Sequence, residues 1–273
     1  MTYDVVVVGA GLGGLTVAAL LAARGVGVCL LERESRGGGC ARAFEHAGYR
    51  FEQGAGLYAS WQAGGIHERV FAELPVPPPE VRPASPAYVV RLPDATDLSV
   101  GGSDEEFADT ITRAFPECAG AAVDFYREIK PVAEALERAA LRVPDLATAS
   151  GLRRARLLAS EPRLSPRILA SMRHTAARHL TRTSERFRRF IDAQLQIFAQ
   201  TPGDECAYLY AAVALRQPRR GMYSIRGGAQ ALADALNEAI RKSGGDVRFD
   251  APVLRLTYDS AGGAAGVDLL SGE

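Results

Sequence analysis

The sequence predicts an α/β protein in which a parallel-sheet domain is interrupted by a largely helical segment. Three observations support this prediction: an apolar β-branched run at Val5–Val8, glycines at GxGxxG spacing directly after it, and an arginine-rich helical pattern in the middle of the chain. The run at Val5–Val8 is typical of a strand buried on both faces. A strand, a glycine turn, a helix and a second strand form a βαβ unit, so the first domain is predicted to be Rossmann-like.

The turn after the first strand has the residues of a phosphate-binding loop. Gly9 permits a tight turn, Gly11 lets the backbone approach a pyrophosphate, and Gly14 allows the helix to lie close to the strand. Free N–H groups at the start of the helix attract the phosphate charge. The predicted binding residues of this turn are Gly9, Ala10, Gly11, Gly13 and Gly14.

The second buried strand, Val26–Leu31, ends at an acidic residue. Glu32 lies where a carboxylate accepts hydrogen bonds from the hydroxyl groups of a ribose. The strand, the glycine turn, the helix and this acid together indicate dinucleotide binding. The alternative is a glycine-rich turn in an ordinary α/β protein.

Two alternatives for the first 23 residues are a membrane-spanning helix and a signal segment. Val5–Ala23 contains no charged residue and is nearly long enough to span a bilayer. Four glycines interrupt the run and no basic segment precedes it, which argues against both readings. We therefore expect a cytoplasmic protein, either soluble or bound peripherally to the inner face of the membrane.

The motif continues beyond Glu32, with Gly38-Gly39-Cys40-Ala41-Arg42 and then the sequence GYRFEQG at 48–54. In these elements the chain resembles the FAD-dependent amine oxidase and phytoene-desaturase-like superfamily. The signature of that superfamily joins a βαβ unit, an acid, a Gly-Gly-Arg turn and G-[FY]-x-[FY]-[DE]-x-G. Cys40 stands where the family has arginine, and a small residue there is more similar to the carotenoid isomerase and retinol saturase branch.

The resemblance covers residues 3–60 strongly and 221–258 moderately, and it implies FAD as the cofactor. It also implies a flavin-dependent oxidoreductase that acts on a lipophilic polyene of carotenoid or retinoid type. The loop Glu52–Tyr58 would approach the flavin ring, and Glu52 is either a proton-transfer group or a structural hydrogen-bond acceptor. Besides the first turn and Glu32, the resemblance assigns to the FAD site Arg33, Gly38, Gly39, Cys40, Arg42, Gly54, Ala55 and Val253.

Composition excludes several other classes of function. The formal net charge is zero and the pI is about 6.9, so there is no general attraction to nucleic acid. The four cysteines have no metal-ligand spacing and indicate a reducing compartment. The sequence shows no Ser-His-Asp, Cys-His or metal constellation, which suits a protein whose cofactor supplies the chemistry. No catalytic residue is assigned.

The order of the motifs and predicted elements along the chain indicates three parts. Residues 1–75 are the first part of the FAD-binding domain, residues 76–220 are a mostly helical insertion, and residues 221–273 are the return to the first domain. Six prolines between Pro75 and Pro86 predict irregular structure where the chain leaves the nucleotide fold. The other predicted elements are a helix at Gly65–Leu74 with His67 solvated, a hairpin of Ala87–Leu92 and Thr96–Val100, a capping box at Ser103 that opens a helix to Phe115, a helix at Gly120–Arg142 kinked or divided at Pro131, two or three helices within 152–199, a helix after Gly227-Gly228, and strands at Asp246–Phe249, Pro252–Tyr258 and Val267–Leu270.

Charge is concentrated in residues 151–190, where eleven arginines oppose two glutamates and leave a net charge of +9. Beside them, apolar residues form the stripe Leu157, Leu158, Leu164, Ile168, Leu169 and Met172. This arrangement is typical of an interfacial helix on a membrane surface. The alternative is that the leucines pack internally and the arginines form a solvated face.

The last residues, 271–273, are predicted to form a hairpin turn that leads to no further strand, whereas the resembling families continue well beyond this point. We therefore expect an incomplete chain, completed by a further C-terminal portion or by a partner chain. Two other functions stay open: a flavin amine oxidase, and a non-catalytic FAD-fold protein that binds isoprenoids or is an inactive remnant. Flavin bands in the absorbance spectrum would favour an enzyme or its remnant over a colourless isoprenoid carrier.

Overall fold

A computed structural model of the protein describes residues 2–54, 56–142, 150–159 and 165–273. The chain forms two compact units. The first unit joins Met1–Pro83 with Tyr223–Glu273, and the second unit is Ala84–Met222.

The elements follow one another along both units. In chain order, the strands are β1 Val5–Val8, β2 Val28–Leu31, β3 Ala43–His46, β4 Tyr49–Glu52, β5 Tyr58–Ala59, β6 Val81–Ala84, β7 Tyr88–Arg91, β8 Asp97–Val100, β9 Met222–Ile225, β10 Asp246–Arg248, β11 Val253–Tyr258 and β12 Ala264–Leu269. The helices are α1 Leu12–Ala23, α2 Ile66–Phe71, α3 Asp104–Ala114, α4 Ala119–Arg142, α5 Gly151–Ala159, α6 Ser165–Ser171, α7 Glu185–Phe198, α8 Tyr208–Arg220 and α9 Gly228–Lys242.

The first unit is built on a parallel sheet in the order β1-β2-β10. The central strand β2 is buried along its whole length, as its apolar sequence predicts. The expectation that Val5–Val8 is buried on both faces is wrong, because the first three residues of β1 are only partly buried and Val8 is 54% exposed. Helices α1 and α9 contribute Leu15, Leu236 and Ile240 to a core shared with Leu30 of the sheet.

A smaller sheet of this unit has the order β5-β9-β6. The backbone N–H of Arg226 donates to the carbonyl of Glu80 at 2.9 Å, and the Ser224 hydroxyl donates to the carbonyl of Arg82 at 3.5 Å. These contacts run in opposite directions along the two segments, so β6 and β9 are antiparallel. The expectation of no regular structure in the proline-rich stretch is therefore wrong at Val81–Ala84.

Two antiparallel hairpins complete the first unit. The hairpin β3–β4 pairs Phe44 with Phe51, and β11–β12 pairs Val253 with Leu269. The strand expected at Val267–Leu270 therefore begins earlier, at Ala264, and its partner is β11.

The second unit has a core of helices α3, α4, α7 and α8 with the β7–β8 hairpin. Phe115, Phe187 and Phe190 are fully buried there. The predicted capping box is confirmed, because Ser103 Oγ accepts from the N–H of Glu106 while the Glu106 carboxylate accepts from the N–H of Ser103. Of the two outcomes predicted at Pro131, a kink or a division of the helix, the division is wrong, since α4 continues through Pro131.

The apolar residues of the arginine-rich stretch differ in their exposure to solvent. Ile168 is 9% exposed, whereas Leu169 and Met172 are 51% and 60% exposed, so the predicted apolar stripe does not share one environment. The side chains of Leu157 and Leu158, and the whole of Leu164, lie outside what the structure describes. None of the helices in the described ranges combines the length and the apolar character needed to cross a membrane.

Candidate functional site

The first glycine turn connects β1 to α1 in the first unit. Gly9 has a φ of 99°, a conformation that favours glycine. A Cβ added to Gly14 would lie 2.1 Å from the carbonyl oxygen of Gly9. The helix therefore approaches the turn more closely than any residue other than glycine at position 14 would allow. A Cβ on Gly11 would meet no atom within 4 Å, which leaves open space in front of this turn.

The start of α1 has the character of an anion site. Gly11 is its N-cap residue, no side chain caps it, and the first helical turn contains no acidic residue. The N–H groups of a first turn have no partners within the helix, and the helix dipole makes this end positive. The local sequence therefore leaves donors and positive potential at the turn.

A second glycine turn lies directly against the first. The N–H of Gly38 donates to the carbonyl of Ala10 at 2.8 Å, and Gly11 and Gly38 form a parallel β-bridge. A Cβ on Gly39 would lie 3.0 Å from the Cα of Gly11. The two glycine motifs of the sequence thus form one continuous backbone surface.

Glu32 follows β2 and faces the first turn. Its carboxylate accepts from the N–H of Ala10 at 2.6 Å and from the N–H of Glu34 at 3.0 Å, and the residue is 9% exposed. Hydrogen bonds to a charged group in so buried a place are strong. The acid therefore fixes the turn as well as offering its remaining acceptor positions to a ligand.

These elements surround a cavity of about 440 Å³. Of the residues predicted to bind a dinucleotide, seven line it: Gly9, Glu32, Arg33, Gly39, Cys40, Arg42 and Val253. Backbone N–H groups and arginines suit phosphate, and a carboxylate suits ribose hydroxyls, so the donors and acceptors present fit a dinucleotide.

The other predicted residues have different positions. Ala10, Gly11, Gly14 and Gly38 are not among the lining residues, but they form close contacts within and between the two glycine turns and with Glu32. Gly13 and Gly54 are not among the lining residues, and Ala55 lies outside the described residues.

Sequence reasoning missed further lining residues, among them Glu34, Gln53, Ala251 and Pro252. Glu34 forms an ion pair with Arg42, with Oε2 and Nη1 3.3 Å apart. The signal available in the sequence was that Glu34 lies two positions after Glu32, between residues predicted to belong to the site. Gln53 reaches the cavity because its N–H donates to the carbonyl of Arg42 at 3.1 Å.

Glu52 has a structural role in this unit. Its Oε1 accepts from the N–H of Ala229 at 3.1 Å, and the Tyr58 hydroxyl donates to its Oε2. Gly228 has a φ of 71°, and a Cβ there would lie 2.0 Å from Glu52 Oε1. Burial, and then the hydrogen bond to Glu52, raise the pKa of Tyr58. The carboxylate thus occupies the N-terminal end of α9, which favours the structural alternative over proton transfer.

The expectation that His67 is solvated is wrong. Its ring stacks on Trp61 with centroids 4.2 Å apart and an interplanar angle of 8°. Burial lowers the pKa of His67 below its usual value, which favours the neutral ring. His67, a residue of α2, therefore packs against Trp61.

The chain is similar in sequence to a retinol reductase and to a phytoene dehydrogenase. The human all-trans-retinol 13,14-reductase is 26% identical over 276 residues, which are 98% of this chain and 44% of that protein. The phytoene dehydrogenase of Streptomyces griseus is 31% identical over 273 residues, covering 92% of this chain and 48% of that protein. The chain therefore spans less than half the length of these relatives.

A solved structure shows the same fold. An oxidoreductase from Methanosarcina mazei matches with a TM-score of 0.61 at 19% identity, covering 97% of this chain and 55% of that chain. The model of the family described as flavin containing amine oxidoreductase matches residues 12–273. Because that match extends from the first helix to the last residue, the chain belongs to the flavin-containing amine oxidoreductase family, whose cofactor is FAD.

Proposed function

We propose that this chain is the flavin-binding portion of an FAD-dependent oxidoreductase that acts on a lipophilic polyene of carotenoid or retinoid type. One observation carries the proposal: a single cavity is lined by Gly9 of the first glycine turn, by Glu32 and by Gly39 of the second glycine turn. The polyene is supported by the names of the two relatives, a retinol reductase and a phytoene dehydrogenase.

In this proposal each part of the cavity holds one part of the ADP half of FAD. The N–H groups of the turn from Gly9 to Gly14 and the start of α1 bind the pyrophosphate. Glu32 accepts hydrogen bonds from the ribose, and Val253 lies against the adenine. Arg42, held by Glu34, adds positive charge near the phosphates.

When bound, FAD supplies the capacity to accept or donate hydride. The residues of the chain bind and orient it, and exclude water from part of its surface. Glu52 contributes by fixing the end of β4 to the start of α9, 177 positions further along the chain. No residue of this chain is proposed to transfer a proton.

The test compares two flavins. FAD contains the ADP half and FMN lacks it, so the protein should bind FAD at least about tenfold more tightly than FMN, since several hydrogen bonds to charged groups are at stake. Fluorescence quenching measures both dissociation constants, and ADP should compete with FAD. Equal affinity for FMN, or a protein that binds no flavin, would contradict the proposal.

Amine oxidation is the second candidate, favoured by the description of the family itself. The two candidates differ in what reduces the bound flavin. Under anaerobic conditions a primary amine such as putrescine should leave the flavin absorbance unchanged if the polyene assignment is right. Bleaching of the flavin bands by the amine would favour the second candidate.

We further propose that the arginine-rich stretch contacts an anionic membrane, where a polyene substrate dissolves. Leu152, Leu169 and Met172 are exposed, and exposed arginines such as Arg156 and Arg173 lie beside them. Some arginines have structural roles, since Arg186 binds Asp94 and Thr96. An exposed arginine near such a surface contributes about 1 kcal/mol.

Vesicle flotation tests the membrane contact. Binding is expected to vesicles that contain phosphatidylserine, to fall in high salt, and to weaken when Arg156 and Arg173 are both changed to Gln. Arg91→Gln is the control, because Arg91 is an exposed arginine outside this stretch that pairs with Asp97. Equal binding to neutral vesicles, or no binding to either kind, would contradict an electrostatic contact.

A further inference from the structure

The second unit contains a cavity whose wall includes a buried arginine. The cavity has a volume of about 240 Å³ and is lined by residues of α3 and α4 and by Arg219 near the end of α8. Apolar side chains of Phe107, Ile111 and Val123 form part of its wall. None of these residues belongs to the site proposed for FAD.

Arg219 lacks the hydrogen bonds that a buried cation needs. Its side chain is 4% exposed, and its guanidinium carbon lies 4.9 Å from the ring centre of Phe107 and 4.7 Å from that of Tyr126. Across the described part of the chain, neither Nε nor Nη2 of Arg219 has a hydrogen-bond partner. Leaving such donors unsatisfied in a buried place is costly, so they indicate an external acceptor.

The nearest carboxylate is already engaged. Asp104 accepts from Arg216 Nη1 at 2.6 Å and from Lys130 Nζ at 2.7 Å. Arg219 Nε lies 3.9 Å from Asp104 Oδ1, which is too far for a hydrogen bond. Glu134 is the other carboxylate of this cluster, 4.0 Å from Arg216. Of Lys130, Arg216 and Arg219, only Arg219 therefore lacks a hydrogen bond to Asp104.

The two free donors share a geometry. Nε and Nη2 lie on one edge of the guanidinium plane, and this edge binds a carboxylate through two parallel hydrogen bonds. Burial lowers the pKa of Arg219, as expected for a cation without sufficient negative charge near it. A bound anion would relieve this deficit.

We propose that this cavity binds a small carboxylate with an apolar body. Its carboxylate oxygens accept from Nε and Nη2 of Arg219, and its body lies against Phe107 and Ile111. The volume is below the range of roughly 300–1,000 Å³ that is typical of sites for drug-sized ligands, so the ligand is small. Lys130, Arg127 and Glu105 also line the cavity, with Lys130 paired to Asp104 and Arg127 paired to Asp124.

Benzoate is the probe, and benzamide is its uncharged counterpart of the same shape. Calorimetry should show saturable binding of benzoate to the protein. Benzoate should bind at least about tenfold more tightly than benzamide, because the uncharged amide cannot form two charge-assisted hydrogen bonds with Arg219. In a ¹⁵N-correlated NMR spectrum, benzoate should shift the Nε–H signal of Arg219, which Arg219→Lys removes and thereby assigns.

Arg219→Met removes the donors while retaining the length and apolar character of the side chain. It should weaken benzoate binding at least about tenfold. Arg91→Met, at an exposed arginine of the same unit, should leave binding unchanged. If Arg219→Met does not fold, the comparison of benzoate with benzamide and the shift of the Nε–H signal in the unaltered protein decide the question.

Three results would overturn the proposal: no saturable benzoate binding, equal affinity for benzamide, or unchanged binding by a folded Arg219→Met variant. Inorganic phosphate is titrated in parallel as a second anion. Tighter binding of phosphate than of benzoate would overturn the assignment to a carboxylate. Because no flavin is involved in any of these measurements, failure here is distinguishable from failure of the proposed oxidoreductase function.

Discussion

Replacing Glu32 with glutamine changes one atom of a side chain that contacts both the glycine turn and the cavity. The carboxylate accepts from the N–H groups of Ala10 and Glu34, at 2.6 and 3.0 Å. Glutamine retains one oxygen acceptor but presents an NH₂ group to the other N–H. One hydrogen bond to a charged group is therefore lost, which should lower the free energy of unfolding by about 1.5–3 kcal/mol. Urea denaturation measures this change.

The same variant should bind FAD about 10- to 150-fold more weakly, which is the same free energy expressed as a ratio of dissociation constants. Comparing ADP with 2′-deoxy-ADP separates a ribose contact from damage to the turn. If Glu32 binds the ribose hydroxyl, the unaltered protein should prefer ADP, and Glu32→Gln should remove most of that preference. Glu45→Gln is the matched control, since Glu45 is an exposed acid on β3 of the same unit.

Two separate results would refute this reasoning. If ADP and 2′-deoxy-ADP bind the unaltered protein equally, Glu32 does not contact the 2′-hydroxyl. If Glu32→Gln leaves the free energy of unfolding unchanged, the two backbone hydrogen bonds do not hold the turn.

Other substitutions test the packing of each unit. Gly14→Ala should cost about 3 kcal/mol or more, because the added Cβ meets the backbone oxygen of Gly9 at 2.1 Å, whereas Gly13→Ala, with no atom within 4 Å, should be neutral or stabilising by about 0.5–1 kcal/mol. Urea denaturation of both variants checks this, and equal stability would contradict it. The hydrogen bond from Arg186 lowers the pKa of Asp94 to about 2, so its contribution to stability is present above the unfolded pKa of about 3.9 and is lost as the pH falls through 2. Asp94→Asn should therefore lower the thermal midpoint at pH 7 but have a decreasing effect towards pH 2, and a constant effect across this range would count against the pair.

Much of the first unit was predictable because its signals are local. The glycine spacing, the buried strand β2 and the acid after it each depend on neighbours in sequence, and the family match confirms the resemblance they suggested. The resemblance assigned Gly39 to the FAD site, but its contact with Gly11 was not predicted, because the local sequence does not indicate which turn a second glycine pair will contact.

The unpredicted elements are decided by distant contacts. Strand β6 forms within a proline-rich stretch because β9, about 140 positions later, supplies its hydrogen-bond partners. Helix α8 was missed because Ala207 gives no capping signal and Pro218 lies inside the helix, while its stability comes from buried residues such as Tyr208 and Leu215. Arg219 was likewise not singled out in the sequence, because its burial follows from the packing of α8.

The antiparallel pairing of β6 with β9 has a consequence for protein engineering. Chain departure at Ala84 and chain return at Met222 lie opposite each other at the end of one strand pair, which is the arrangement that a hairpin turn normally closes. A shortened chain in which a two-residue Asn-Gly turn replaces residues 85–221 would therefore keep the connectivity of the small sheet. Nucleotide binding by this shortened protein would show whether the first unit recognises its ligand without residues 85–221.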